Sequence, residues 1–157
     1  MSNRIGKRGE NIFATIITRK SMNGLFLFDP TFLGDKFPTV DFYVALLDFP
    51  LKAFFFVSVK TTTQGYSPKG DKLMIRIEKE EIAELLKFNI PVYIFGIDEV
   101  SEKGFFIATS GMDINLNVNG ITAKYPVTAP NLELIYDEVA NYWHYSHKNT
   151  KFVSSFK

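Results

Sequence analysis

The chain has 157 residues, a formal net charge of +1 and no cysteine. That length suits one domain with a real core, and the absent cysteines exclude disulfides and thiolate metal sites, which fits a reducing, cytoplasmic setting. No apolar run reaches the roughly 18 residues of a membrane span, so no membrane association is expected, and the near-neutral balance offers nucleic acid no global basic field.

Met1 to Glu10 carries Arg4, Lys7 and Arg8 with no apolar segment behind them, unlike a secretory leader. Gly9 to Lys20 then places Ile12, Phe13, Ile16 and Ile17 at helical spacing. A short β-rich stretch, Gly24 to Phe28, is followed by turn signals at Asp29-Pro30 and Gly34-Asp35-Lys36. Val40 to Leu47 and Ala53 to Lys60 read as a hairpin around Asp48 to Lys52. Thr61 to Asp71, with Gly65, Pro68 and Gly70, is a loop before a short alternating strand at Leu73 to Ile77. Glu78 to Phe88 is helical, with glutamates near its start where the helix dipole favours them. Pro91 to Ile97 is a central strand, and Gly104 to Ala108 returns beside it. Ser110 to Ala129 is expected to hold one irregular hairpin, and Pro130 opens a last helix from Asn131 to about His147.

Three polar groups sit among apolar neighbours. Glu10 lines up with Phe13, Ala14 and Ile17, so it borders the buried stripe of its helix. Asp41 sits near the start of a strand otherwise made of Val, Phe, Tyr and Leu. Lys60 ends "FFFVSVK", where a period of two places Ser58 and Lys60 on one face. Across a hairpin, Asp41 falls opposite Ser58 or Lys60, and a charged cluster in that setting needs mutual pairing or a metal.

The helix glutamate followed by "TVDFYVAL" and "FFFVSVKTT" resembles the PD-(D/E)XK nuclease superfamily. It resembles more particularly an uncharacterised bacterial branch with a "GERGE"-type helix, a D-x-x-V strand and a "QVK" strand. The opening "RIGKRGENIFATII" and the later "FNIPVYIFGIDEV" are similar to the same branch, so the likeness spans residues 4 to about 108. It implies an α/β, restriction-endonuclease-like fold: a mixed central sheet with the Glu10 helix on one face and the Glu78–Phe88 helix on the other. It also implies hydrolysis of nucleic-acid phosphodiesters, with DNA the expected substrate, dependent on Mg²⁺ or Mn²⁺. Carried over, Asp41 is the principal metal ligand, the Val59 backbone carbonyl a further donor and Glu10 the completing carboxylate. Lys60 is then the catalytic cation that orients water or steadies the phosphate.

Two positions depart from the pattern. Val40-Asp41 stands for the usual Pro-Asp, and Ser58 stands where Glu, Asp or Gln is usual. A serine hydroxyl is neutral and short, so Ser58 marks a degenerate metal position, with Gln64 and Asp71 in the following loop as substitutes. Lys69, Lys72 and Arg76, with Gln64, are candidates for a phosphate-binding groove, against the alternative of a solvated charged face. His144 and His147 are three apart on a helix but have no third ligand nearby for a metal. Tyr142, Trp143 and Tyr145 suit helix packing or a homodimer face better than base stacking. "GKRGE" has the wrong spacing for a dinucleotide or P-loop motif. The competing expectation is a catalytically inactive nuclease-fold module that binds a partner protein or itself.

Overall fold

The structure, a computed structural model, describes residues 2–145 and 152–156. Helix α1 spans Ser2–Ile17, one turn and more ahead of the start expected at Gly9. Its apolar periodicity becomes dense only at Ile12, while Arg4, Lys7 and Arg8 are helix formers whose side chains face water, so hydrophobic spacing could not reveal that part. The β-rich stretch expected at Gly24 to Phe28 reduces to an isolated bridge between Lys20 and Phe26. Strand β1 is instead Phe28–Phe32, and Asp29-Pro30, expected as a turn, lies inside it. Pro30 sits opposite Val44 on an edge strand, where a residue without an N–H is tolerated.

Strands β2 (Phe42–Leu46) and β3 (Phe54–Thr62) continue from β1 as an antiparallel meander. β3 then pairs in parallel with β5 (Val92–Asp98), and β5 pairs antiparallel with β6 (Lys103–Ala108), so the five-stranded sheet runs β1-β2-β3-β5-β6. A parallel pair needs a crossover, supplied here by β4 (Lys72–Ile77) and helix α2 (Lys79–Leu86). Every residue of β5 is buried, as a strand covered on both faces requires. The segment Ser110 to Ala129 does not form a hairpin of its own. It contributes β7 (Val118–Thr122), which pairs antiparallel with β4 in a second, two-stranded sheet. That partner is distant in sequence, and local turn signals carry no trace of it.

The central sheet separates two cores. Phe13, Ile16, Phe55, Val57 and Phe95 pack with Leu132, Ile135 and Val139 of α3 (Ala129–Tyr145) on one face. Ile75, Ile77, Ile82, Leu85, Ile94 and Ile121 pack on the other, beneath α2 and the β4–β7 pair. Helix α3 is tied down by two of the aromatics for which helix packing or a homodimer face is expected, and here they pack. The Trp143 indole N–H donates to the Phe54 carbonyl at 2.7 Å, with the rings 4.8 Å apart, and the Tyr142 hydroxyl donates to the Asn89 carbonyl. Tyr145 and His144 project into solvent, and His147 lies outside the described residues.

Candidate functional site

The site begins where β2 and β3 part. Phe42 is the last β2 residue in register, opposite Val57, and the Asp41 N–H donates to the Val57 carbonyl at 2.9 Å. Val40 turns away into the core beneath α2. The Asp41 carboxylate takes the place of the missing ladder partner, with Oδ2 accepting the Val59 N–H at 2.7 Å. The N–H and C=O of one strand residue point to the same side, so the Val59 carbonyl also faces the Asp41 side of β3.

Period two sends Lys60 toward α2, where its Nζ makes an ion pair with Glu81. Glu10 arrives from the opposite face on α1. Gly9 allows this, because a Cβ there would lie 1.7 Å from Thr61 Oγ1, and only glycine lets α1 sit that close to β3. Glu10 and Lys60 both line one groove beside the end of β3. The groove, of about 430 Å³, is also lined by Val59, Gln64, Met74 and Arg76, among others.

The carboxylates of this fork feel one another. Burial pushes the Asp41 carboxyl up; its hydrogen bond from Val59 and the charge of Lys60 pull it down, and Glu81 pushes it up again. Burial also raises Glu10, and the next cause is the charge of Asp41, opposed by Lys7 at 3.8 Å. After burial, Glu10 is raised by Asp41 and Asp41 by Glu81, and a cation at the fork would relieve both.

Glu81 was not among the residues singled out from sequence. In "EKEEIAELL" it reads as one of several dipole-favoured acids. Yet it lies one position before buried Ile82 and four before buried Leu85, so it borders the apolar stripe of α2 just as Glu10 borders that of α1. Its spacing to Ile82 and Leu85 is the signal that marks it in the sequence.

The other expected residues separate into two groups. Gln64 and Arg76 line the groove, and Arg76 is held by Glu78 at 2.8 Å and by Asn119 at 3.3 Å. Lys69 in the turn before β4 and Lys72 at its first residue are exposed and lie outside the groove lining. Asp71 accepts a hydrogen bond from Ser67 at 2.8 Å, which ties it to that turn. Ser58 is 1% exposed and stands beside Ile94 of β5. Among the described residues, no three acidic or histidine side chains are grouped closely enough to cage a metal by themselves. Comparison with protein-family models, with curated proteins and with solved structures gives no match to this chain.

Proposed function

We propose that this chain is a metal-dependent nuclease of PD-(D/E)XK type, hydrolysing phosphodiester bonds in nucleic acid, with DNA the expected substrate. The observation that carries the reading is the fork itself: Asp41 anchored on the Val59 N–H, with Lys60 the next residue and Glu10 and Glu81 brought in from two helices. A mixed sheet with the Glu10 helix on one face and the Glu81 helix on the other supports the restriction-endonuclease-like fold that the reading asks for.

The donor set fits Mg²⁺ or Mn²⁺. Mg²⁺ keeps several waters and is held by one or two carboxylates together with substrate phosphate, so no cage of three acids is needed. Asp41 and Glu10 are the carboxylates, and the Val59 carbonyl is a further hard oxygen. When bound, the ion polarises phosphate and lowers the pKa of a bound water. The Val59 N–H fixes the Asp41 carboxylate in orientation. Lys60 steadies the charge that gathers on the phosphate, exchanging Glu81 for a phosphate oxygen as substrate enters. Glu81, released, is left as an outer carboxylate able to accept hydrogen bonds from the ion's waters, which neutral Ser58 would not supply.

Incubation with single- and double-stranded DNA and RNA in Mg²⁺ or Mn²⁺ tests the reading. Cleavage by the wild type should fall by about a hundredfold or more in Asp41→Ala and in Lys60→Ala, the scale of losing one transition-state contact. Cleavage that survives both substitutions, or none from the wild type with any substrate, overturns it.

A further inference from the structure

Gly6 has no structural explanation. It lies inside α1, where glycine weakens a helix relative to alanine. A Cβ at Gly9 would strike Thr61, but a Cβ at Gly6 would meet nothing within 4 Å. What Gly6 does is leave a bare stretch of helix on the wall of the groove that also holds Glu10 and Lys60. The facing wall is re-aimed as well. Met74 and Ile75 of β4 together oppose Gly120 of β7, whose φ is +100°, and a bulge of this kind turns a strand edge. Met74 is 46% exposed beside Arg76 and Gln64.

We propose that this groove, between α1 and the bulged edge of β4, binds single-stranded nucleic acid, with the strand passing over Gly6 to reach Lys60. The inference rests on the nuclease reading and adds the substrate's form. A cavity of about 430 Å³ falls in the size range of small-molecule sites. A single strand can turn its bases onto the groove wall, whereas a duplex keeps its bases paired and stacked inside. Met74 offers an apolar surface to a base, Gln64 an amide to a base edge or sugar, and Arg76 and Lys60 their charge to phosphate. Lys60, Arg76 and Lys7 each already have a carboxylate partner, Glu81, Glu78 and Glu10 respectively. The groove therefore carries no surplus of positive charge, and its attraction for a polyanion depends on a divalent ion at Asp41 and Glu10.

Fluorescence anisotropy with a labelled oligothymidylate, an oligouridylate and a blunt DNA duplex, each in Ca²⁺ and in chelator, tests the proposal beside thermal melting of Gly6→Ala and Gly6→Phe. A Cβ at Gly6 meets nothing within 4 Å, so Gly6→Ala adds no clash, and the melting curve reports whether the larger Phe is accommodated. Single strands should bind in Ca²⁺ at least about tenfold more tightly than the duplex, the worth of one stacked base, and should lose that binding in chelator. Gly6→Ala should melt higher and bind more weakly than the wild type, though less so than Gly6→Phe. Gly6→Phe should melt no lower than the wild type yet bind about tenfold more weakly. Binding unchanged by Gly6→Phe, or a duplex bound as tightly as a strand, overturns the groove inference while leaving cleavage at Asp41 and Lys60 standing. Failure to bind any of the three probes, with no cleavage, overturns both.

Discussion

Gly9→Ala should destabilise the protein by about 2–3 kcal/mol, the upper part of the range for overpacking a closed contact. The new Cβ would fall 1.7 Å from Thr61 Oγ1 and 2.8 Å from Thr61 Cβ. Rotation of one side chain cannot clear the second contact, so α1 must move off β3. The slight gain in helix propensity, about 1 kcal/mol, works in the other direction and is outweighed. Urea unfolding measures the loss. Thr61→Ala removes Oγ1 and should recover part of it in the double variant, as expected for residues in direct contact. Because the same movement carries Glu10 away from Asp41, the variant should also bind Mg²⁺ more weakly than its stability alone explains. A neutral Gly9→Ala would mean that α1 is not seated on Thr61.

Ser58→Glu is the second large effect. Ser58 is buried beside Ile94, so a glutamate there brings a charge and extra volume into a closed space. An uncompensated buried charge costs about 3–5 kcal/mol. If Glu81 already serves as the outer carboxylate, Mg²⁺ should not restore the loss. Recovery in Mg²⁺ would instead make Ser58 the natural metal position and Glu81 only the partner of Lys60.

Much of this was legible in the chain, and the unread parts have physical causes. The β2–β3 hairpin, the all-apolar β5 and the face of α2 follow from periodicities that a buried sheet and its covering helices impose. Asp29-Pro30 was misleading because turn chemistry and edge-strand tolerance use the same residues. The β4–β7 pairing joins segments with a helix and two strands between them, and no local signal records it. At the site, Glu10, Asp41 and Lys60 were visible as polar residues set against apolar stripes. Glu81 was hidden by its acidic neighbours. The burial of Ser58 depends on β5 lying beside it, so it became visible only once the parallel pairing was known.

The most direct measurement is the stability of wild type and Asp41→Asn between pH 4 and pH 8 in chelator and in Mg²⁺, by urea unfolding. The amide oxygen of the substituted side chain can still accept the Val59 N–H, so the exchange removes charge and keeps the fork. Folding raises the carboxyls of Asp41 and Glu10 above their ordinary values of 3.8 and 4.5. In the window between the ordinary and raised values the folded protein binds more protons than the unfolded one. The contribution of this pair is therefore most favourable below the ordinary values and is lost as pH rises through the raised ones. In chelator the wild type should show that loss, and Asp41→Asn should show less of it and be the more stable at pH 7. Mg²⁺ should restore the wild type, by about 2.7 kcal/mol at one hundred times its dissociation constant, and leave Asp41→Asn unmoved. Equal stabilisation of both proteins by Mg²⁺, or of neither, would contradict a metal site at Asp41.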